Sequence, residues 1–375
     1  MTWRDEFWVP DEGPYLLSHS TGCLIRSAAA SFDSGYLEPW RTKGGDAWPV
    51  WLAAIQEFRS ALADLFGGRA ADYCPQANLS SGLAKLLTAL PVPSAGRNVV
   101  LASEQCFPSM AFVLMRAAGY TARFIPSTES PTSLEGWQRA LATGDICAAL
   151  ITHVHSTTGI VAPVAQITAL CRHSGITSIV DIAQSAGILD LDVETLGADV
   201  ILGSCLKWLC GGPGAGFMWV RPALIESLRP TDVGWFSHED PFEFDPHHFK
   251  YAPDARRFWG GTPTIAPFVI AAPAIRRLTR IGIESVREHN LRMQRLLAQS
   301  IGPNWSFSVS PTASGGTSCI STGQRLPRVV AALRERRVRF DTRADTLRVS
   351  FHIYNDEDDV GTVAEALDAA AKEPV

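Results

Sequence analysis

A lysine in an apolar, glycine-rich setting is the most reactive feature of the sequence. Lys207 follows a predicted strand, lies between apolar residues, and precedes the glycine-rich run 211–214. Burial penalises the charged ammonium, and the neutral amine that results is the form that makes a Schiff base with a carbonyl. Nearby glycines let the backbone approach a bulky ring. The alternative of equal weight is a lysine that extends its charged end to solvent before a tight turn.

A carboxylate at the end of another predicted strand favours the first interpretation. Asp181 closes the apolar run 177–180, and Gln184 follows three residues later. Pyridoxal-5′-phosphate (PLP) is held by a lysine and needs an anionic partner on its pyridine nitrogen. We take Asp181 as that partner and Gln184 as a hydrogen-bond partner of the ring hydroxyl. A helix N-cap and an ordinary loop residue are the alternatives.

Weaker signals accompany this pair. Residues 78–82 form a polar entry into a predicted helix over 83–90, and phosphate groups bind at helix N-termini, although N-capping alone explains the pattern. Phe107 follows a strand and could stack on a ring, although an aromatic residue there is more often core. His153 and His155 face the same way, but no third ligand accompanies them at a supporting spacing, so we predict no metal site.

The elements that must position these residues alternate along the chain. Strands are predicted at 98–101, 122–125, 148–152, 177–181, 199–203 and 216–220, with helices at 109–118 and 164–173. This alternation predicts an α/β fold with a mainly parallel sheet covered on both faces. Such sheets bind ligands beyond the carboxyl ends of their strands.

The pattern changes at residue 265. A long helix over 271–299 is followed by strands at 317–321 and 346–353 and helices at 326–336 and 360–371. We therefore expect three parts: an N-terminal segment 1–40 that packs with the small domain, a large cofactor-binding domain 41–264, and a small α+β domain 265–375. The aperiodic stretch 228–263 is predicted to be a functional loop.

Composition narrows the classes of partner. The 375 residues are 46% hydrophobic and 19% charged, which predicts a substantial core, and the net charge is 33 − 38 = −5. Without a basic stripe, nucleic acid is not an expected partner. No secretory signal and no bilayer-length apolar run are present, so no membrane association is predicted. The 8 scattered cysteines predict reduced thiols in a cytoplasmic protein.

Together these motifs resemble the class V group of fold-type I PLP-dependent enzymes, and kynureninases above all. The resemblance runs from about Tyr15 to Val360. It rests on the stretch 152–187 that leads into and past Asp181, and on the lysine loop 206–214. Further motifs resemble kynureninases in particular: residues 107–109, 234–238, 241–245, 257–263, 340–343 and 347–351.

The resemblance implies a role for each matching residue. It implies that Phe107 stacks on the PLP ring, that Asp181 pairs with the pyridine nitrogen, and that Lys207 carries the cofactor. The implied phosphate ligands are Leu79, Ser80, Trp235 and, across the interface of a homodimer, Thr262. The implied ligand of the substrate α-carboxylate is Arg348, whose guanidinium fork fits a carboxylate. We expect His19, Ser20 and the loop around Trp235 to contribute to specificity.

Three positions depart from the kynureninase pattern. Leu206 stands where kynureninases usually have tyrosine, Met110 where they have aspartate, and Gln184 where they have histidine. We expect a kynureninase-like lyase or hydrolase that cleaves the side chain of a small-molecule L-amino acid. An aminotransferase, a racemase or epimerase, and a cysteine desulfurase or C–S lyase are the alternatives on the same scaffold. A desulfurase needs a mobile cysteine, and the C-terminal candidate, Cys319, lies in a predicted strand. A non-catalytic scaffold is disfavoured because Lys207 and Arg348 are both retained.

Overall fold

Strands and helices alternate along most of the chain that the computed structural model describes, residues 3–91 and 96–372. The strands are β1 (Phe7–Trp8), β2 (Leu24–Ile25), β3 (Tyr73–Gln76), β4 (Val99–Ser103), β5 (Thr121–Ile125), β6 (Ile146–Thr152), β7 (Thr177–Asp181), β8 (Val200–Ser204), β9 (Gly216–Val220), β10 (Thr317–Ser321), β11 (Asp341–Arg343) and β12 (Thr346–Ser350). The helices are α1 (Ala28–Phe32), α2 (Glu38–Lys43), α3 (Trp48–Phe66), α4 (Leu79–Ala89), α5 (Pro108–Arg116), α6 (Leu134–Leu141), α7 (Val164–His173), α8 (Val193–Leu196), α9 (Pro222–Ile225), α10 (Ala266–Ile281), α11 (Ile283–Ser300), α12 (Leu326–Glu335) and α13 (Glu357–Lys372). The predicted α/β class is confirmed.

A mainly parallel sheet is the platform of the fold. Within the described residues its seven strands run in the order β3-β9-β8-β7-β6-β4-β5. The neighbours from β8 to β5 are parallel, whereas β9 is antiparallel to both β8 and β3. In the register Thr152 lies beside Asp181, and Asp181 lies beside Leu202. The carboxyl ends of β6, β7 and β8 therefore meet at one edge.

Both faces of this sheet are buried. Successive residues of a strand point to opposite sides, and here each side belongs to a hydrophobic cluster. In β7, Ile179 joins one hydrophobic cluster and Val180 joins the other, and in β8 Val200 and Ile201 divide in the same way. This is why these strands read as continuous apolar runs rather than as alternating patterns.

The prediction of a single long helix over 271–299 is wrong. Two helices, α10 and α11, occupy the region, and Gly282 lies between them with φ +86°. A positive φ stops a helix and is easily reached only by glycine. Phe268 of α10 packs on Phe58 of α3, with 4.7 Å between ring centroids, so α10 covers the large sheet. We therefore propose that the boundary between the two domains lies near Gly282 rather than at residue 265.

A second core lies under a small antiparallel sheet of order β10-β12-β11. Helices α11, α12 and α13 contribute buried residues to it, and so does Leu16 of the N-terminal segment. The Leu16 N–H donates to the Arg339 carbonyl (2.9 Å), and its own carbonyl accepts from the Ser350 N–H (3.0 Å). In the described part of the chain, no helix combines the length and hydropathy needed to cross a membrane.

Candidate active site

A cavity of about 290 Å³ opens at the carboxyl ends of β6, β7 and β8. Six of the predicted site residues line it: Leu79, Ser80, Phe107, Asp181, Gln184 and Lys207. They come from four places in the chain, namely the start of α4, the start of α5, the end of β7 and the loop after β8. The sheet thus brings together residues that are up to 128 positions apart in sequence, from Leu79 to Lys207.

Lys207 is held in a loop that several backbone contacts fix. The Cys205 N–H donates to the Ala215 carbonyl (2.8 Å), and the Gly22 N–H of the N-terminal segment donates to the Leu206 carbonyl (2.9 Å). Burial lowers the pKa of the Lys207 amine, Asp181 partly opposes this, and Arg348 lowers the pKa further. The site therefore favours the neutral amine, which is the nucleophilic form.

Asp181 lies on the floor of the cavity. Its side chain is buried, and its Oδ1 accepts the Ala183 N–H at 2.8 Å. Burial raises the pKa of the Asp181 carboxyl, and the Ala183 N–H and Lys207 oppose this only in part. A buried carboxylate in this position is stabilised by a cation, and the protonated pyridine nitrogen of PLP is such a cation.

Two polar atoms that line the cavity have no hydrogen-bond partner among the described residues. They are Gln184 Oε1 and Thr152 Oγ1, and both are buried. The Gln184 Nε2 donates to the His19 carbonyl (3.0 Å), and Oε1 is the side-chain atom left without a partner among the described residues. Buried polar atoms are normally paired, so these two indicate a polar ligand. A hydroxylated pyridine ring above Asp181 fits this requirement.

The start of α4 provides donors for an anion. The helix begins four residues earlier than predicted, at Leu79, because Asn78 caps it by accepting the Ser81 N–H at 2.9 Å. The N–H groups of Leu79 and Ser80 are in the first turn, where no intrahelical acceptor exists. Ser204, which the sequence analysis missed, also lines the cavity from the end of β8. Its position three residues before the lysine, at a strand end, is the signal that could have identified it.

Arg348 is almost completely buried and does not itself line the cavity, which it reaches only through its bond to Ser156. Its Nε bonds Asp341 Oδ1 (2.7 Å), its Nη2 bonds Asp341 Oδ2, and its Nη1 donates to the carbonyl of Ser156 (2.6 Å), a lining residue. Burial raises the pKa of Asp341, but the hydrogen bonds with His19 and Arg348 outweigh it and hold the pKa at about 2. The guanidinium is therefore oriented by a permanent carboxylate that the sequence analysis did not single out.

His19 is buried and does not line the cavity; its side chain connects Asp341 with Ser350. Its Nε2 lies 3.0 Å from Asp341 Oδ1, its Nδ1 lies 2.9 Å from Ser350 Oγ, and its carbonyl accepts from Gln184. Burial lowers the pKa of its imidazole. Ser20 is exposed and does not line the cavity. A direct contact of His19 or Ser20 with substrate stays a prediction.

Trp235 and Thr262 lie outside the cavity. The Trp235 Nε1 donates to Thr262 Oγ1 (3.2 Å), and the indole packs against Phe242 and Phe244. The two residues meet each other but not Leu79 or the other predicted phosphate ligands within one chain. Their contribution to phosphate binding stays a prediction that requires a second copy of the chain.

Arg343 is a third residue that the sequence analysis did not assign, after Ser204 and Asp341. Its guanidinium carbon lies 5.6 Å from the centroid of the Phe107 ring, and the Lys207 amine lies at the same distance from that centroid. Two basic side chains therefore face one aromatic ring. Leu206 and Met110, the two apolar departures from the kynureninase pattern, both line the cavity.

The other candidate groups have structural partners. His153 Nδ1 lies 3.0 Å from Ser185 Oγ, and His155 Nδ1 lies 3.2 Å from the Gln105 carbonyl. Burial lowers the pKa of both imidazoles, that of His153 to about 4. Cys319 lies in β10, as predicted, and burial raises the pKa of its thiol to about 12. A thiol in a strand with that pKa is neither mobile nor ionised.

Comparison with known proteins agrees with this geometry. The family model described as aminotransferase class-V matches residues 95–363. An uncharacterised aminotransferase of Bacillus subtilis, YcbU, is 27% identical over 319 residues, which cover 83% of each chain. A kynureninase of Deinococcus radiodurans is 30% identical over 298 residues, covering 77% of this chain and 71% of that protein. Isopenicillin N epimerase of Streptomyces clavuligerus is 29% identical over 352 residues, covering 86% and 85%.

A solved structure has the same fold. The cysteine desulfurase from Thermococcus onnurineus superposes with a TM-score of 0.84 at 20% identity, over 98% of this chain and 97% of that one. The family model covers more than two thirds of the chain, residues 95–363. The chain therefore belongs to the class V aminotransferase family, and it is a PLP-dependent enzyme of fold type I.

Proposed function

We propose that the protein is a cytoplasmic homodimer that cleaves the side chain of an L-amino acid, as a kynureninase-like lyase or hydrolase. The observation that carries the proposal is the convergence of Lys207 and Asp181 in one cavity, with Arg348 bonded to the lining residue Ser156. The 30% identity with a kynureninase supports this choice of reaction. The eight free cysteines support a reducing compartment.

PLP, when bound, supplies an electron sink for negative charge that develops at the substrate Cα. Asp181 would hold the ring nitrogen in its charged form, and the N–H groups at the start of α4 would hold the phosphate. Arg348 would bind the α-carboxylate through Nη1, which would have to exchange the Ser156 carbonyl for the substrate. Each of these residues acts on the part of the substrate or cofactor that does not change during the reaction.

Lys207 is the proposed acid and base. Among the described lining residues it is the sole basic side chain, and its pKa is lowered by burial. Its neutral Nζ can take the Cα proton and then deliver a proton to the departing side chain. This proton transfer is sufficient when the side chain leaves as an anion that takes the proton. In hydrolysis, a water molecule must also supply the hydroxyl that the departing acyl group gains, and the proton from Lys207 then goes to Cβ.

Epimerisation at Cα is the second candidate. It is favoured by the epimerase relative, which aligns with 86% of this chain, a larger share than the kynureninase covers. An epimerase must return the proton to the opposite face of Cα. Lys207 is the one basic group that lines the described cavity, so this reaction would need a proton donor from water or from a partner subunit.

The first experiment mixes PLP-loaded enzyme with L-kynurenine and records anthranilate fluorescence together with alanine release. Catalytic product formation that Lys207→Ala abolishes supports side-chain cleavage. Lack of product, with the visible absorbance of the bound cofactor intact, would reject kynurenine as the substrate. A panel of L-amino acids in deuterated water, analysed on a chiral column, then separates cleavage from epimerisation. Sedimentation tests the homodimer, and a fully active monomer would contradict it.

A further inference from the structure

A triad of potential metal ligands lies in the long loop that follows β9, outside the candidate active site. His238, Glu243 and His248 place one ligand atom each within 4.8 Å of the others. The Glu243 carboxylate lies between the two rings, 2.5 Å from His248 Nδ1 and 3.7 Å from His238 Nε2. The reaction proposed above uses none of these side chains.

The loop backbone brings the three residues together. His238 pairs with Tyr251 in an antiparallel bridge, and the Glu239 N–H donates to the Lys250 carbonyl (2.9 Å), so the two arms of the loop run side by side. At the tip, Phe244 has φ +55°, a conformation that turns the chain back. The turn places Glu243 and His248 over His238.

His238 has an unsatisfied ring nitrogen that points at the triad. Its side chain is 9% exposed, and its Nε2 has no hydrogen-bond partner among the described residues. Its Nδ1 lies 2.8 Å from the carbonyl and 3.0 Å from the N–H of Asp240. In one tautomer Nδ1 accepts the Asp240 N–H and Nε2 carries the hydrogen; in the other Nδ1 donates to the Asp240 carbonyl and an Nε2 lone pair is directed toward Glu243. That arrangement is favourable when a cation lies between them, and a carbonyl that orients a ligating imidazole is common at metal sites.

We propose that His238, Glu243 and His248 form a binding site for a divalent transition metal of the zinc class. Two imidazoles and one carboxylate form a ligand set that zinc accepts, with water in the fourth position, whereas calcium and magnesium prefer oxygen ligands alone. Donor atoms of a tetrahedral zinc ion lie roughly 3.3 Å apart at bond lengths of about 2.0–2.1 Å. The three ligand atoms lie within 4.8 Å of one another, so metal binding would require the exposed Glu243 and His248 side chains to move.

Metal at this site would fix the loop that carries Trp235. The Trp235 ring stacks on Phe244 at 5.8 Å and meets Phe242 at 5.6 Å, and both phenylalanines flank Glu243 in sequence. A metal that joins Glu243 to the two histidines would therefore restrain the cluster of Trp235, Phe242 and Phe244. The proposed role is structural, because the triad is separated from the cavity that contains Lys207.

The test is a zinc titration of tag-free, PLP-loaded protein against a chromophoric zinc chelator. We expect one zinc ion per chain, on the order of 100-fold weaker binding in His248→Ala and Glu243→Gln, and unchanged binding in His247→Ala. His247 is a matched control because it is the exposed neighbour of His248 and lies outside the triad. Zinc X-ray absorption should show nitrogen and oxygen ligands, including two imidazoles.

Two results would overturn the site. The first is that the wild-type protein removes no stoichiometric zinc from the chelator, or that all three variants bind zinc with the same affinity as the wild type. The other is a sulfur ligand in the absorption spectrum, which would assign the metal to a cysteine. Since Glu243 and His248 are surface residues, near-UV circular dichroism should be unchanged in the variants, and this separates loss of the site from loss of the fold.

Discussion

Asp341 holds both Arg348 and His19 with one carboxylate, and Asp341→Asn tests this arrangement directly. Asparagine keeps the size of the side chain and one oxygen acceptor but removes the negative charge. The pKa of Asp341 is lowered from an ordinary value of about 3.9 to about 2. At about 1.36 kcal/mol per pKa unit, this lowering of the pKa corresponds to at most about 2.6 kcal/mol of stabilisation of the folded state. Because the side chain is 32% exposed, water screens the pair, and we expect about 1–2 kcal/mol.

The dependence on pH follows from the direction of this pKa. A carboxylate with a lowered pKa in the folded state stabilises the protein fully above its unfolded-state pKa. That stabilisation disappears as the pH falls from about 4 through about 2. Urea unfolding at pH 7 should therefore show a free energy of unfolding about 1–2 kcal/mol lower for Asp341→Asn. The difference between the two proteins should shrink below about pH 4.

The same change should weaken substrate binding more than turnover. Arg348 without its carboxylate partner loses a fixed orientation, so KM should rise about 5- to 30-fold, which is the equivalent of about 1–2 kcal/mol, with a smaller change in kcat. Asp345→Asn, at an exposed position in the turn between β11 and β12, is the control. An unchanged KM would refute the positioning role. A lower KM would also refute it, because it would mean that Asp341 competes with the substrate carboxylate.

Three further changes test the cavity and its support. Asp181→Asn should weaken PLP binding at least about 30-fold, since removing one partner of a buried charge pair costs about 2–5 kcal/mol; equal affinity by equilibrium dialysis would reject the pyridine contact. Gly22→Ala places a Cβ 2.1 Å from the Lys207 carbonyl oxygen and should lower stability by about 1–3 kcal/mol in urea. Gly45→Ala, with no atom within 4 Å, should match wild type, and equal midpoints for both variants would contradict the close approach. Cys319→Ala should retain amino-acid cleavage in the product assay, because burial raises the pKa of that thiol to about 12; loss of activity would restore the desulfurase alternative.

The sequence was sufficient to predict six of the seven strands of the large sheet, all except β3, and to single out residues at its carboxyl edge. The bounds of β7, β9 and α7 agree with the predicted ranges, because fully buried strands give continuous apolar runs and α7 has a clear stripe. Once the strands were located, the rule that parallel sheets bind ligands at their carboxyl ends identified Asp181 and Lys207. Both claims depend on local patterns and on one general rule of topology.

Contacts between distant parts of the chain could not be predicted from the sequence. His19 meets Asp341 across 322 positions, and no periodicity encodes that meeting. The break at Gly282 was missed because apolar residues on both sides continue a helical pattern, and the positive φ that ends α10 appears only in three dimensions. Trp235 matched a motif, but a motif does not state which subunit completes the site.

The residues that distinguish one reaction from another are few. In their proposed roles, Lys207, Asp181 and Arg348 would act on features that every L-amino acid and every PLP molecule share, so they would serve cleavage, transamination and epimerisation alike. Selectivity must then come from side chains that meet the variable part of the substrate. Leu206 and Met110 line the cavity with apolar surface, which favours an apolar or aromatic substrate side chain, while Arg343 adds a cation opposite Phe107. A substrate with an aromatic body and a carbonyl or carboxylate on its side chain satisfies both requirements, which is why L-kynurenine is the first compound to test.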